Sequence, residues 1–153
     1  MEATGISLRP VIAADVDVFF EHQRDPVATG MAAFPARDRD AHEAHWARIL
    51  DDPAVVARTI VIGGEVAGNI GCWEHDGNRH VGYWIGRDHW GQGIATEALR
   101  RLLDLVPARP LYALVAKDNA ASIRVLAKCG FEVTAEKPAD EDGIIELEMK
   151  LGM

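Results

Sequence analysis

The chain has 153 residues, of which 48% are hydrophobic and 26% are charged. This length and composition are typical of one globular domain with an ordinary core. The formal net charge of −8 argues against nonspecific binding to nucleic acid or to an anionic membrane surface. No apolar run is long enough for a membrane span, no signal peptide is visible, and the two cysteines are too few for a disulfide scaffold. We therefore expect a single cytoplasmic domain over residues 1–153.

The first third of the chain is predicted to contain a strand and two helices. Residues 6–10 have the composition of a strand. Asp15 is expected to cap the first helix, and the segment 26–38 is expected to be irregular because glycine and proline interrupt it. Asp40 has the spacing of a capping box with the glutamate three residues later, which predicts a second helix that ends before Pro53.

The middle of the chain is predicted to form an antiparallel meander. Its three strands are expected over residues 57–62, 66–73 and 80–85, where β-branched and aromatic residues are frequent. Gly63-Gly64 supplies a two-residue hairpin turn between the first two strands. Asp76-Gly77-Asn78 is expected to form the second turn.

The last third returns to helical periodicity and ends in strands. Apolar residues from Ala95 to Val106 recur with a helical period, and a second helix is expected from Asp118 or Asn119 to Gly130. Its inner face is predicted to carry Ile123, Leu126 and Ala127. The remaining strands are expected over residues 111–115, 131–135 and 144–149. The predicted order is β-α-α-β-β-β-α-β-α-β-β. It indicates a mixed α/β fold with a mostly antiparallel sheet of about seven strands, flanked by about four helices.

A glycine-rich turn before the third predicted helix is the most informative segment. Gly91 and Gly93 allow a ligand to approach the backbone closely, and the first amides of the following helix favour an anion such as phosphate. A Walker A loop would need lysine and serine or threonine where Gln92 and Gly93 stand. A dinucleotide fingerprint would need glycine or alanine at Thr96, so both nucleotide hypotheses are weak.

Two motifs around this turn resemble a known family. Residues 90–99, with the sequence WGQGIATEAL, resemble motif A of the GNAT N-acetyltransferase superfamily, and they are most similar to the branch with the ribosomal-protein N-terminal acetyltransferases. A second match covers Asn119-Ala120-Ala121-Ser122-Ile123 and Lys128-Cys129-Gly130-Phe131. Trp90 departs from the Gln/Arg of the family pattern. The resemblance covers almost the whole chain and implies a GNAT-like fold that takes acetyl-CoA as co-substrate and needs no metal.

The resemblance also implies where acetyl-CoA binds. Its pyrophosphate would lie on amides of the glycine turn, its pantetheine arm would pair with the strand that ends before this turn, and that strand would splay from its neighbour. Arg87, Lys117 or Arg124 would meet the phosphates, unless they belong to a solvated surface. The expected cofactor-binding residues are Trp84, Ile85, Gly86, Arg87, Gly91, Gln92, Gly93, Ile94, Ala95, Thr96, Asn119 and Ser122.

Acetyl transfer to an amine needs a group near the leaving sulfur and a base for the amine. The resemblance assigns Ser122 to the sulfur, although a serine in a first helical turn also satisfies backbone amides. The tyrosine that other family members carry is replaced by Leu126. His80 and Glu74 are the candidate bases; surface residues without a catalytic role and a water-relayed mechanism without a dedicated base are the alternatives.

The expected acceptor is a primary amine, either a peptide N-terminus or a small molecule. By the resemblance, the segment 26–38, with Met31 and Phe34, forms one wall of its cleft. The acidic segment 137–143 forms another wall, which favours a cationic or peptide amine. The alternative function is a non-catalytic acyl-CoA-binding module. We expect no nucleic-acid or membrane partner and a monomer or homodimer.

Overall fold

The computed structural model describes residues 5–32, 36–141 and 143–152. Seven strands form one sheet in the order β1-β2-β3-β4-β5-β7-β6, with helices on both faces, so the mixed α/β prediction is confirmed. The strands are β1 (Ile6–Pro10), β2 (Val56–Ile62), β3 (Glu65–His75), β4 (Asn78–Ile85), β5 (Leu111–Ala116), β6 (Glu132–Glu136) and β7 (Glu146–Leu151). The helices are α1 (Ala13–Gln23), α2 (Pro26–Ala32), α3 (Arg39–Asp51), α4 (Ile94–Leu105) and α5 (Ala120–Lys128).

The first three helices differ from the prediction in their boundaries. The segment from Pro26 is expected to be irregular, but it forms α2, in which proline occupies the first helical position, where it is well tolerated. The cap of α3 is Asp38 rather than Asp40, since the Asp38 side chain accepts from the Ala41 amide at 2.8 Å. Asp15 is not the N-cap of α1; it lies inside the first turn and accepts from the Ile12 amide at 2.9 Å.

The predicted meander is confirmed, and a crossover connection through α4 leads from its last strand, β4, to the neighbouring parallel strand β5. Strands β1 to β4 pair antiparallel in sequence order, with turns at Gly63-Gly64 and Asp76-Gly77. Strand β4 pairs parallel with β5 at a single register position, His80 with Tyr112. The two strands separate beyond that point, so the end of β4 at residues 83–85 has a free edge toward β5.

The two faces of the sheet carry separate apolar clusters. On one face, α4 and α5 bury Ala98, Leu99, Leu102 and Leu126 against the strands. On the other face, Val16 and Phe19 of α1 pack with Trp46 of α3. The prediction for the inner face of α5 holds for Leu126, which is buried, and for Ile123, which packs against the same cluster, and it fails for Ala127, which is exposed. No helix within the described residues is long and apolar enough to cross a membrane.

Candidate functional site

The site begins where β4 ends. A short 3-10 helix over Arg87–His89 follows the strand, and the chain then reaches the glycine turn. Gly91 has a φ of 76° and Gly93 a φ of 75°, a left-handed conformation that favours glycine. Gly93 is the N-cap of α4, and the first intrahelical bond runs from the Glu97 amide to the Gly93 carbonyl. Helix geometry therefore leaves the amides of residues 94–96 without an intrahelical acceptor.

Two side chains hold this turn in place. The indole N–H of Trp90 donates to the Ile85 carbonyl at 2.9 Å, and Gln92 Nε2 donates to the Asp88 carbonyl at 3.3 Å. Trp90 thus ties the turn to the end of β4. This contact gives a structural role to the tryptophan that departs from the family pattern.

A cavity of about 590 Å³ lies beside the turn, in the gap between β4 and α5; we call it the turn cavity. Nine of the twelve predicted cofactor-binding residues line it. These are Trp84, Ile85, Gly91, Gly93, Ile94, Ala95, Thr96, Asn119 and Ser122. Its size falls within the range of small-molecule sites, and it combines a free strand edge with unpaired helix amides.

The other three predicted residues do not line the turn cavity. Gly86 packs on His22, whose ring would stand 2.6 Å from a Cβ added at Gly86, and the Gln92 amide is turned to the 3-10 helix. Arg87 lies 3.4 Å from the Asp25 carboxylate.

The cations of the turn cavity come from α5. Arg124 and Lys128, one helical turn apart, line it; Lys128 was not among the predicted residues. Lys117 instead forms an ion pair with Glu136 at 2.8 Å, and it does not line the cavity. The α5 cations and the first amides of α4 therefore supply positive charge to the same space.

Ser122 and Tyr83 meet inside the turn cavity. Ser122 Oγ and the Tyr83 hydroxyl are 2.6 Å apart, and the Ser122 amide donates to Asn119 Oδ1 at 3.2 Å. Burial raises the pKa of Tyr83 to about 12, although the Ser122 hydroxyl opposes the shift. Tyr83 is therefore protonated at neutral pH. The sequence indicated Ser122, but it gave Tyr83 no chemical role, because only the fold brings β4 against α5.

The two candidate bases lie away from Ser122. His80 is buried, and its ring centroid is 5.5 Å from that of His75 and 5.8 Å from that of Tyr112. Burial, and then the neighbouring His75, lower the pKa of His80, while Glu148 and Asp76 oppose the shift. Neither His80 nor Glu74 lines the turn cavity or the second cavity described below.

The strand registers place these two bases on opposite faces. Side chains alternate along a strand, so His80 shares a face of β4 with Gly82 and Trp84. On β3, Trp73 lies opposite His80, so Glu74 points to the other face. Glu74 is exposed. It lies four residues along β3 from Ile70, which pairs with Tyr83. At about 3.3 Å per residue, Glu74 and Ile70 are therefore roughly 13 Å apart along the strand.

A second cavity, also of about 590 Å³, lies between α3 and strands β2 to β4. We call it the indole cavity, because Trp46, Trp73 and Trp84 line it. The indole of Trp73 lies across Gly82, where an added Cβ would stand 2.6 Å from Trp73 Cη2. Tyr83 and Trp84 line both cavities, so the two spaces approach each other at the end of β4.

The charged side chains of the indole cavity are Arg37, Arg48 and Asp52. His45 also lines it, and burial, followed by Arg37, Arg48 and His42, lowers the pKa of His45 to about 4. His45 is therefore neutral at pH 7. His42 is a core residue, with Nε2 at 2.9 Å from the Val16 carbonyl oxygen.

Only one of the two segments predicted to form walls of the acceptor cleft lines a cavity. Arg37 brings the segment 26–38 to the indole cavity, and Ala28 brings it to the turn cavity. Phe34 and the side chain of Met31 lie outside the described residues. No described residue of the acidic segment 137–143 lines either cavity, because this segment follows β6 at the far edge of the sheet. Within the described chain, no three His, Cys, Asp or Glu side chains are grouped to hold a metal ion.

Comparison with known proteins gives consistent matches. The family model described as "Acetyltransferase (GNAT) domain" matches residues 6–132. A relative from Bacillus licheniformis, named uncharacterized N-acetyltransferase p20, is 25% identical over 140 residues, which cover 83% of this chain and 79% of that protein.

Solved structures share the fold at low sequence identity. A spermidine N-acetyltransferase from Vibrio cholerae, in complex with CoA and spermine, has a TM-score of 0.85 at 16% identity, covering 97% of this chain and 95% of that chain. The microcin C7 self-immunity acetyltransferase MccE, in complex with acetyl-CoA and AMP, has a TM-score of 0.79 at 16% identity, covering 98% and 93%. Likeness at this identity establishes a common architecture.

Proposed function

The chain belongs to the GNAT acetyltransferase domain family and is an acyltransferase, and from this premise we propose that it moves an acetyl group from acetyl-CoA to a primary amine in a ternary complex. The observation that carries the proposal is the pair of cavities that meet at Tyr83 and Trp84. The turn cavity has the chemistry of a donor site. The indole cavity lies on the opposite face of β4 and would admit the acceptor.

The donor half of the proposal assigns acetyl-CoA to the turn cavity. The amides of Gly91, Gly93, Ala95 and Thr96 would hold its pyrophosphate, because a helix N-terminus favours anions. Arg124 and Lys128 line the same cavity and would add charge-assisted bonds to phosphate oxygens. The free edge of β4 at residues 83–85 would pair with the pantetheine amides. CoA and acetyl-CoA in the related solved structures support this donor.

We assign Ser122 to the departing sulfur. Bound acetyl-CoA supplies the acetyl group as a thioester. The neutral amine forms an N–C bond to the carbonyl carbon, the C–S bond breaks, the amine loses a proton and the sulfur is finally protonated by solvent. Tyr83 donates to Ser122 Oγ, and Ser122 in turn donates to the sulfur. A full proton transfer from Tyr83 is unfavourable, because its pKa of about 12 lies above that of an ordinary thiol, about 8.5.

The base in this proposal is His80, acting through water. It lies on the face of β4 that bears the indole cavity, and its lowered pKa leaves it neutral at pH 7, as a proton acceptor must be. Trp73 stands beside His80 on the neighbouring strand, so we propose no direct contact between His80 and the amine. Glu74 points to the other face and receives no catalytic role.

The proposed function is tested by mixing the protein with acetyl-CoA and a panel of primary amines. The panel contains apolar amino acids, their amides, a polyamine, an aminoglycoside and a peptide with a free N-terminus, since the resemblance to the ribosomal-protein branch makes a peptide a candidate acceptor. We expect free CoA thiol to appear in step with an acetylated amine, identified by mass spectrometry, for at least one member.

The main alternative is a module that binds acyl-CoA without transferring the acyl group. Such a module would bind acetyl-CoA and release no thiol with any amine on the panel. A control without amine measures hydrolysis of the thioester and is subtracted. Acetyl-CoA binding without any acetylated product would contradict the proposed function and favour the binding module.

A further inference from the structure

The indole cavity is locally positive in an acidic protein. The chain carries a net charge of −8, yet the described charged side chains that line this cavity are two arginines and one aspartate. The aspartate, Asp52, already accepts from the Ala54 amide at 2.9 Å. The charge at this cavity is therefore the reverse of the charge on the whole protein.

The arginines are placed by the fold. His45 and Arg48 lie about one turn apart on α3 and share one face of this helix, and Asp52 follows directly as its C-cap. Arg48 is exposed and also lines the cavity, which puts it at the opening. Within the described residues, no carboxylate forms an ion pair with Arg48.

Arg37 is held in position through its backbone. The Gln23 side-chain amide donates to the Arg37 carbonyl at 3.0 Å, and the Arg37 amide donates to Gln23 Oε1 at 2.6 Å. Gln23 is buried at the end of α1. A buried amide that pairs with both backbone groups of one residue restrains that residue strongly, so Arg37 has a defined place beside the cavity.

A second observation shows the same positive environment. Beyond the effect of burial, Arg37, Arg48 and His42 all lower the pKa of His45. Because an uncharged His45 faces the cavity between cationic groups, an anionic part of a ligand would be attracted and a ligand of net positive charge repelled.

The rest of the cavity is apolar. The indole of Trp73 lies over Gly82, and Trp46, Ile49 and Val56 complete much of the lining. Flat aromatic walls suit an apolar or aromatic group, which gains by leaving water. The cavity thus combines an apolar floor with cations at its opening.

Resting on the proposed function, we propose that the acceptor is an amine with an apolar body and a carboxylate, the chemistry of an apolar α-amino acid. The carboxylate binds at Arg48 and Arg37, and the apolar side chain packs on Trp73. Guanidinium groups suit this role, because they match the geometry of a carboxylate with parallel N–H donors. A cationic acceptor, which the acidic segment 137–143 suggested, meets repulsion at this cavity instead.

The test compares L-phenylalanine with L-phenylalaninamide, which differ in the carboxylate. The readout is the ratio of their kcat/KM values, in the wild type and in Arg48→Glu. We expect this ratio to fall by about tenfold or more in Arg48→Glu. The intrinsic reactivity of the two amines cancels, because the same pair is compared in both proteins.

The matched control is Arg101→Glu, which makes the same charge change on the exposed side of α4, where Arg101 lies 3.7 Å from Glu97. It should leave the ratio within about twofold, because screening weakens distant surface charges. Arg48→Glu should also leave the KM for acetyl-CoA unchanged. An equal ratio in wild type and Arg48→Glu, or a wild type that prefers spermidine to phenylalanine, would overturn the inference.

The inference and the proposed function can fail separately. Acetylation of amines with a ratio that Arg48→Glu leaves unchanged would overturn the inference alone. Absence of acetylation with every amine would contradict the proposed function. In that case the anion site is still tested by the binding of phenylalanine, measured through the fluorescence of the cavity tryptophans. We expect saturable quenching by phenylalanine that Arg48→Glu weakens, and no such binding would contradict the site.

Discussion

Replacing Asp15 with alanine is expected to lower the free energy of unfolding by about 2–4 kcal/mol, because hydrogen bonds to a charged group contribute about 1.5–3 kcal/mol and the buried Thr59 hydroxyl also loses its acceptor. Asp15 is 2% exposed. Its carboxylate accepts from Arg9 Nη1 at 2.6 Å and Nη2 at 2.9 Å, and from Thr59 Oγ1 at 2.7 Å. This cluster joins β1, α1 and β2, so its loss leaves Arg9 and Thr59 without their common acceptor.

Chemical denaturation at pH 7 measures the loss, and a thermal scan should show a midpoint roughly 4–16 °C lower for a chain of this size. Asp17→Ala is the matched control on the same helix, because Asp17 is 67% exposed and lies 3.1 Å from Arg39. Exposed pairs contribute about 0–1 kcal/mol. Equal losses for Asp15→Ala and Asp17→Ala would contradict the role assigned to the buried cluster.

The same aspartate predicts an acid dependence of stability. Burial acts to raise the pKa of Asp15, but Arg9, the Ile12 amide and Thr59 together lower it to about 2, below the value of about 3.9 for an unfolded aspartate. The folded state therefore binds the proton less readily, and the stabilisation is present above about pH 4 and lost as the pH falls toward 2. The difference between wild type and Asp15→Ala should shrink over that range.

Replacing Ser122 with alanine is expected to lower kcat about 10- to 100-fold, because the proposed hydrogen bond to the departing sulfur involves a charged group and such bonds contribute about 1.5–3 kcal/mol. The KM for acetyl-CoA should stay within about threefold, since the turn amides and the α5 cations are unchanged. The Ser122 amide keeps its bond to Asn119, so the helix cap survives. Steady-state kinetics with a saturating amine give both values.

Tyr83→Phe separates the two hydroxyls of this pair. It removes a neutral partner of Ser122 and should lower kcat about three- to tenfold. In the double variant, the losses should fall short of the sum, because groups that act as a unit are not additive. Ser7→Ala, an exposed serine of β1, is the control for hydroxyl removal. Full activity in Ser122→Ala would contradict the assignment.

His80 is tested by the pH dependence of kcat with an arylamine acceptor, which stays uncharged across the range. The pKa of His80 is lowered from its usual 6.5, so a base at this position is fully active at pH 7 and loses activity only below 6.5, as it takes up a proton. His80→Ala should lower kcat about tenfold or more at pH 7 and abolish the acid limb. An unchanged profile would show that solvent alone removes the amine proton.

Local patterns in the sequence predicted the elements whose cause is local. The glycine turn before α4 and the cap at Asn119 depend on residues a few positions apart, and the structure has both. The same holds for the paired glycines between β2 and β3. The start of α2 escaped prediction because the glycine and the small residues after Pro26 are frequent in loops, and only packing selects the helix there.

Contacts between distant segments were beyond local patterns. Tyr83 and Ser122 are 39 positions apart and meet because β4 and β5 separate and α5 covers the gap. Arg37 and Arg48 line one cavity with Trp73 for the same kind of reason. The local sequence predicts only a helix cap at Asp15, because its partner Thr59 is 44 positions away and no short pattern connects the two. Long-range pairings of this kind are set by topology rather than by any short motif.

The measurement that tests the central claim most directly is the thermal midpoint of the protein with acetyl-CoA, with CoA, ATP and NAD as comparisons. A ligand at about 100 times its dissociation constant stabilises the folded state by about 2.7 kcal/mol, which corresponds to a rise of roughly 5–10 °C for a chain of this size. We predict this rise with acetyl-CoA and CoA and a much smaller one with ATP or NAD. No rise at millimolar acetyl-CoA would contradict a donor site at the glycine turn.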